Sequence, residues 1–463
     1  MKPKHIQHLY RRVGFGLLPD QLQTLLKKSK AHIVDGLVEA SKTVTPLRVD
    51  TSEIEAVFSG NMMVTKKLSP ESRRKIRKLS REKQMEFNLA WMERLTDSTE
   101  ILREKMTLFW ANHFVCKDNS ITYIQQFNNT LRTHALGNFK AFVNAISKEA
   151  AMVKYLNTKQ NRKQNPNENF ARELMELFTL GEGHYTETDI KESAKAFTGY
   201  SHNLRGEFVF RKRQHDESDK TFFGKAGNFS GEDIVDIILK QKQCATFICG
   251  KIYRYFVNEN VDENHVNAMA NVFYRNYNIE TLMRYMLMSD WFYDKKNIGV
   301  KIKSPIEFLV GLKSTVPITF KNPKQWLYMQ KLLGQILLNP PNVAGWKGGK
   351  QWIDSNTIVL RLKLPSLLLN SAYISKVKTG KADAKIDFKK AVFNKKYGKR
   401  FKADANWSYF NSHFKNVKMS ELETHLLACK INDNTKAYLR TLDKPSKQEY
   451  SIQLMSLPEY QMC

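Results

Sequence analysis

Apolar residues recur along most of the chain at the three- and four-residue spacing of an amphipathic α-helix. Residues 87–95 and 102–114 show this spacing most clearly, and the polar run 97–100 between them supplies turn and capping side chains. The same pattern predicts further helices at about 121–135, 138–148, 167–180, 187–198, 231–240, 242–257, 263–275, 304–313 and 355–370.

Strand-like patterning is confined to two short segments, 207–211 and 221–223, which look like the two strands of a small hairpin. The predicted fold class is therefore mainly α: a multi-helical globular body with a small β-hairpin insertion. With 463 residues, 42% of them hydrophobic, the chain is long enough to bury one large core or two moderate ones.

Two lysine- and arginine-rich stretches suggest how the chain is divided. Seven basic residues crowd a probable helix at 69–83, and a second basic stretch covers 376–402. We predict a main helical domain over 1–370 with a basic insertion near 51–84, a basic linker at 371–402, and a small helical C-terminal cap at 403–463. Such runs are usually solvated faces or tethers, and a binding patch is the alternative.

Terminal and cysteine patterns bear on the compartment. The polar start of the chain has no export signal, and no apolar run reaches the length of a membrane span, so the sequence as written predicts a cytoplasmic protein. A periplasmic or exported protein is expected instead if the N-terminus has been trimmed. Five scattered cysteines fit reduced thiols better than a disulfide framework, and the spacing of Cys244 and Cys249 argues only weakly for a metal site.

The charge balance is a clue about solubility first, and it is also compatible with an anionic partner. Lys and Arg number 74 against 46 Asp and Glu, which gives a formal net charge of +28. A surplus of this size attracts nucleic acid, anionic polysaccharide or a membrane surface. Specific nucleic-acid binding is disfavoured, because no aromatic residues are interleaved with the basic run at 73–83.

The segment 166–181 contains the most informative polar cluster. Asn169, Arg172, Glu173 and Glu176 form a polar stripe opposite the apolar face of the predicted helix. Two carboxylates one turn apart can chelate a divalent cation, or can divide into a general acid and a general base. The alternative is an ordinary surface helix in which Arg172 pairs with Glu168 or Glu176.

Histidines and tryptophans add further candidates. His113 and His134 lie at the ends of aromatic-rich helices, where a histidine is more often part of the core than a ligand or proton carrier. His215 and Asp216 follow the basic strand and can be presented to a cleft. In the Pro- and Gly-rich loop 338–352, Trp346 can stack on a sugar or base, or plug the core. We find no phosphate loop, dinucleotide fingerprint, nucleophile elbow or zinc-protease motif.

Taken together, these segments resemble the bacterial family of domain of unknown function 1800. The resemblance is carried, across about residues 5–370, by residues 11–16 (RRVGFG), 109–114 (FWANHF), 134–139 (HALGNF), 161–163 (NRK), 167–181 (NENFARELMELFTLG), 196–199 (AFTG), 303–308 (KSPIEF) and 340–346 (PPNVAGW). It implies a helical architecture but no particular reaction. Members are often exported and encoded beside proteins that resemble sulfatases and alkaline phosphatases, which implies a partner of that type and an anionic or sugar-derived substrate.

The leading hypothesis is a hydrolase-type enzyme acting on an anionic or carbohydrate-derived substrate. Its catalytic candidates are Glu173, Glu176, His113, His215 and Asp216, and its substrate-binding candidates are Arg172, Asn169, His134 and Trp346. A divalent metal held by Glu173 and Glu176 is the one cofactor these residues suggest. The hypothesis predicts that the groups near 113, 134, 173, 215 and 346 converge on one cleft. The alternative is a non-catalytic binding or assembly protein whose basic face docks a polyanion or an acidic protein partner.

Overall fold

A computed structural model describes residues 1–59, 69–370, 403–442 and 444–463. The predicted linker at 371–402 and the part of the basic insertion at 60–68 lie outside these residues. None of the described helices is both long and apolar enough to cross a lipid bilayer. All five cysteines carry free thiols.

The described residues are mainly α-helical, as the sequence predicts. Short 3₁₀ turns join several of the elements, and a π-helical segment, Leu174–Thr179, directly follows α10. The helices are α1 (Pro3–Val13), α2 (Pro19–Leu25), α3 (Lys30–Ala40), α4 (Ser52–Ser59), α5 (Pro70–Thr96), α6 (Ile101–Ala111), α7 (Ile121–His134), α8 (Phe139–Lys148), α9 (Ala150–Tyr155), α10 (Asn169–Glu173), α11 (Glu187–Ala196), α12 (Gly231–Leu239), α13 (Lys242–Phe256), α14 (Glu263–Phe273), α15 (Ile279–Met288), α16 (Pro305–Thr315), α17 (Lys324–Leu333), α18 (Ser355–Leu369), α19 (Trp407–His413), α20 (Leu422–Leu426), α21 (Asp433–Arg440) and α22 (Lys447–Met455).

The strands form three two-stranded antiparallel sheets. β1 (Tyr200–His202) pairs with β2 (Phe208–Phe210), β3 (Lys220–Phe222) with β4 (Lys225–Gly227), and β5 (Ile318–Phe320) with β6 (Ala403–Ala405). The expectation that 207–211 and 221–223 pair with each other is therefore wrong. Each of the two strands pairs with its nearest neighbour in the chain, because a short local turn closes a hairpin at a smaller entropic cost.

Local sequence signals explain where several helices begin and end. Ser304 caps α16 by accepting a hydrogen bond from the backbone N–H of Glu307, and Pro305 occupies the first turn. α17 ends at Gly334, whose φ of 87° is favourable for glycine. The long α5 joins the predicted helices at 69–83 and 87–95 into one, because no helix-breaking residue separates them.

Apolar side chains collect in two packed clusters that meet at α6. The first cluster includes Trp110 and Phe114 and is built mainly from α1, α3 and the elements between α6 and α15. The second includes Leu108 of the same helix and is built mainly from α5, α16, α17, α18 and the segment 403–463. Residues 403–463 thus contribute side chains such as Phe410 to the same core as α16.

Candidate active site

The predicted helix at 167–180 is α-helical only at its start. The backbone N–H groups of Leu180 and Gly181 both donate to the carbonyl of Met175, at 2.9 and 3.0 Å, so the ladder has widened to a π-helical spacing. Thr179 donates its hydroxyl hydrogen to the carbonyl of Leu174 at 2.5 Å. The prediction of a regular α-helix over 174–179 was therefore wrong. Single π-helical turns of this kind frequently lie at functional sites.

Side chains from the turn after α6 and from α13 form hydrogen bonds with carbonyl groups of the π-helical segment. His113 Nε2 lies 3.0 Å from the carbonyl oxygen of Phe178, and Lys251 Nζ donates to that of Leu177 at 2.8 Å. Burial, with a contribution from Arg254, lowers the pKa of Lys251 to about 8. These contacts hold the segment against α6 and α13, since a buried carbonyl without a partner is costly.

Glu173 and Glu176 are both half-buried, but their surroundings differ. Burial raises the pKa of Glu173, and the neighbouring Glu176 charge raises it further. Glu176 instead accepts a hydrogen bond from the hydroxyl of Tyr185, at 2.9 Å from Oε2. Burial and this bond raise the pKa of Tyr185 to about 12, so the phenol stays a hydrogen-bond donor at neutral pH. Burial and the Glu176 charge thus both shift Glu173 towards its protonated form, whereas Glu176 is held by a hydrogen bond.

Arg172 is engaged by carboxylates. Its two terminal nitrogens donate to the two carboxylate oxygens of Glu187, each at 2.8 Å, and one lies 3.3 Å from Glu168. These bonds with Glu187 raise the pKa of Arg172. The pairing with Glu168 is the one expected for a surface helix. Asn169 is exposed at the start of α10.

His113 and His134 lie in aromatic surroundings. The His113 ring is buried against Trp110 and Phe114, and burial, followed by the charge of Lys251, holds its pKa well below the usual range. His134 is half-buried and stacks on Phe142 with ring centroids 5.4 Å apart, and burial lowers its pKa as well. Both imidazoles are therefore neutral at pH 7.

His215 and Asp216 are organised by Thr198. His215 Nδ1 lies 2.9 Å from the carbonyl oxygen of Thr198, and the backbone N–H of Asp216 donates to its hydroxyl at 2.8 Å. Burial would raise the pKa of Asp216, but hydrogen bonds from Ser218 outweigh it and lower the pKa. The pair thus belongs to the loop between β2 and β3, held against Thr198.

Trp346 is held in place through its backbone. Asn112, next to His113, accepts from the Trp346 N–H at 2.8 Å and donates to its carbonyl at 2.9 Å. The side chain is half-buried and borders a small, mostly apolar cavity of about 20 Å³ that is also lined by Trp91 and Leu131. This volume is roughly that of a single water molecule.

Direct contacts join only some of the predicted site residues. Glu173, Glu176 and Arg172 share one polar stripe, and His113 bonds the end of the same segment. His134, the pair of His215 and Asp216, and Trp346 each have other partners, so their convergence on one cleft stays a prediction. Among the described residues, no group of three or more His, Cys, Asp or Glu side chains is placed to hold a metal ion.

Sequence reasoning missed two groups. Tyr185 follows Glu176 by nine residues across a turn, and its spacing gives no indication of the contact. Glu149 borders a polar cleft of about 990 Å³ between α7, α8 and the segment 46–55. Burial raises its pKa to about 6, although the hydrogen bond from Thr130 opposes the shift. A lone glutamate beside an alanine-rich helix carries no sequence signal of such a cleft.

These features define a multi-helical protein with a differentiated carboxylate pair at a π-helical turn. The chain belongs to the family described as "Protein of unknown function (DUF1800)", which matches residues 8–462. The match extends beyond the motifs at 5–370 through the C-terminal helices. No curated protein and no solved structure matches the chain.

Proposed function

We propose that the protein is a hydrolase-type enzyme that acts on an anionic or carbohydrate-derived substrate. The observation that supports this function is the unequal environment of Glu173 and Glu176, which lie three positions apart at a π-helical turn. Pairs of carboxyl groups whose pKa values are pushed apart commonly divide the work of acid and base. The net charge of +28 favours an anionic substrate.

In this proposal Glu173 is the general acid and Glu176 the general base. Glu176 takes a proton from the attacking water while Tyr185 holds its carboxylate, and Glu173 gives its proton to the leaving oxygen. Asn169, exposed on the same helix, contacts the substrate. We assign His113 to positioning the π-helical segment, because its neutral ring bonds the carbonyl of Phe178. A metal role for the pair is less favoured, since one oxygen of Glu176 already accepts from Tyr185.

The test is turnover of a chromogenic phosphate monoester, a sulfate ester and a series of glycosides by the parent and by three variants. Glu173→Gln and Glu176→Gln should each lower kcat by about 10²- to 10⁴-fold with KM little changed. Glu182→Gln is the matched control, because Glu182 is exposed in the turn after the same segment. Tyr185→Phe should shift the acidic limb of the pH–rate profile, which the general base Glu176 controls, because it removes the hydrogen bond to Glu176.

Two results would contradict the proposal. One is that the parent protein turns over none of the three substrate classes. The other is that both glutamine variants keep the activity of the parent while circular dichroism shows the same fold.

A second candidate function, binding of a polyanion or an acidic protein partner without catalysis, is favoured by the first half of α5. Six basic side chains there are exposed over about three turns: Arg73, Arg74, Lys75, Arg77, Lys78 and Arg81. Affinity for a sulfated polysaccharide should then fall steeply between roughly 50 and 200 mM salt. Replacing Arg73, Arg77 and Arg81 by Gln should flatten that dependence.

A further inference from the structure

A group of buried cations lies where α1, α6 and α18 approach the segment before α16. We call the five side chains the cation centre, and each is at most 9% exposed: Arg12, Lys105, Lys301, Lys303 and Arg361. Glu307, at 9% exposure, is the carboxylate they surround. Lys303 and Glu307 belong to the segment 303–308, and Arg12 to 11–16, both of which carried the family resemblance.

Within the described residues, the cation centre contains one ion pair. Lys105 Nζ lies 2.5 Å from Glu307 Oε1, and the nearby lysines hold the pKa of Glu307 down to about 2 although burial opposes the shift. Uncharged groups accept the other hydrogen bonds of these cations. The carbonyl acceptors are Asn297 O from Arg12 at 2.8 Å, Arg254 O from Lys301 at 2.7 Å, Lys303 O from Arg361 at 2.9 Å and Gly14 O from Lys105 at 3.1 Å. The Sγ of Cys463 also lies 3.9 Å from Arg12 Nη1.

Lys303 lies against an aromatic ring. Its Nζ lies 3.7 Å from the centroid of the Tyr460 ring, a cation–π contact. Burial lowers the pKa of Lys303 to about 7 and that of Lys301 to about 8. Lys303 in particular can gain a proton near neutral pH when a negative charge binds beside it.

Several buried donors in the same place have no protein partner among the described residues. Arg12 Nε, Arg361 Nε and Gln461 Nε2 are unsatisfied, and these side chains are 2%, 0% and 1% exposed. Gln461 is joined to the centre because its Oε1 accepts from Arg361 at 3.2 Å. All three unpartnered atoms are hydrogen-bond donors, so a group that satisfied them would have to be a hydrogen-bond acceptor. Buried donors in native proteins nearly always have one.

The charge count leads to the same conclusion. Five buried basic side chains face one buried side-chain carboxylate, and an unpaired buried charge destabilises a fold strongly. A compact group with several acceptor oxygens and more than one negative charge would balance this excess. Arginine guanidinium groups match the oxygens of phosphate and sulfate especially well.

We propose that the cation centre binds a tetrahedral oxyanion, a phosphate or sulfate group, either free or as a monoester. Arg12, Arg361 and Lys303 contact its oxygens, while Lys105 and Glu307 hold the framework. The site is independent of the carboxylate pair on the π-helical segment, so either assignment can fail without the other.

The experiment is calorimetric titration of the full chain, dialysed into chloride buffer, with inorganic phosphate, sulfate or phenyl phosphate at matched ionic strength. Lys303→Met removes a charge of the centre and keeps its side-chain length, and Lys415→Met is the control at an exposed lysine. Lys301→Met is a second variant, used if Lys303→Met does not fold. We expect saturable binding to the parent, weakened at least about tenfold by a centre variant and unchanged by Lys415→Met.

The three titrations also distinguish a free phosphate or sulfate ion from an ester. Binding of inorganic phosphate or sulfate indicates a free ion, and binding of phenyl phosphate alone indicates an ester. The proposal is overturned if none of the three binds more tightly than chloride. It is equally overturned if the centre variants bind them as well as Lys415→Met does.

Discussion

Replacing Lys303 by methionine should make the anion-free protein more stable. The lysine is 7% exposed, and its ammonium group lies against Tyr460 without an ion pair among the described residues. Methionine fills a similar volume and places no charge in the core. We therefore expect a higher free energy of unfolding at neutral pH in chloride buffer, in contrast to the usual effect of core substitutions.

The pKa of Lys303 sets the upper limit of the gain. It falls from an ordinary 10.5 to about 7 in the folded protein. At about 1.4 kcal/mol for each pKa unit, this shift corresponds to roughly 5 kcal/mol of lost stability near neutral pH. Loss of the cation–π contact with Tyr460 removes about 1–2 kcal/mol of this gain, and imperfect packing removes more. The expected net gain is about 1–3 kcal/mol.

The sign of the pH dependence follows from the depressed pKa. Above the unfolded-state pKa the lysine is neutral in both states, and Lys303 exerts no penalty. As the pH falls toward 7, the unfolded chain binds a proton that the folded protein refuses, so the stability of the parent is lost over this range. The advantage of Lys303→Met should therefore be largest near pH 7 and should shrink toward pH 10. Lys301 titrates in both proteins and does not affect the difference.

The assay is urea denaturation followed by circular dichroism and tryptophan fluorescence, at about pH 7 and pH 10, with Lys415→Met as the control. A loss of more than about 1 kcal/mol in anion-free Lys303→Met near pH 7 would refute the reasoning. It would show that the ammonium group contributes net stabilising interactions in the folded state.

Two further predictions concern the backbone and the polar cleft. Gly345→Ala should lower stability by about 3 kcal/mol in thermal denaturation, because φ is 72° and the new Cβ meets Asn112 Oδ1. Gly334→Ala, with φ of 87° but no atom within 4 Å, should cost only about 1 kcal/mol, and equal losses would contradict the clash. Because the pKa of Glu149 is raised to about 6, its protonated carboxyl group adds to the stability of the folded protein below about pH 4, and this stabilisation is lost as the pH rises through 6. The free energy of unfolding of Glu149→Gln, relative to that of the parent, should thus rise by about 1 kcal/mol from pH 4 to pH 7.5 in urea denaturation. The same difference between variant and parent at both pH values would refute this.

Most helix positions were predictable because local signals agree with the tertiary structure. The predicted helix at 231–240 corresponds to α12 (Gly231–Leu239), and that at 355–370 to α18 (Ser355–Leu369). Apolar spacing and capping residues act within a few positions of each other, so sequence reasoning can read them. The pairing of β5 with β6 joins residues more than eighty positions apart, and no local pattern specifies such a contact.

The candidate site was only partly predictable for the same reason. Helical spacing grouped Glu173 with Glu176, and the charge of Glu176 does act on Glu173, but the spacing gave no sign of the π-helical turn. Two carbonyl groups of that turn are contacted by His113 and Lys251, which lie far away in the sequence. Nor did spacing reveal that Glu187, fifteen positions away, engages Arg172.

The cation centre shows that the density of basic residues along the sequence does not indicate which of them are buried. The conspicuous basic run at 73–83 lies on an exposed helix half, where a cation is well solvated and costs little. The cations at 12, 105, 301, 303 and 361 stand in apolar or mixed segments, and each is hidden among its neighbours in the sequence. A lysine such as Lys105, on a helix flanked by buried Leu102 and Phe109, is the stronger signal. Because burial of a cation is expensive, its presence in an apolar pattern indicates an anion or a carboxylate opposite to it.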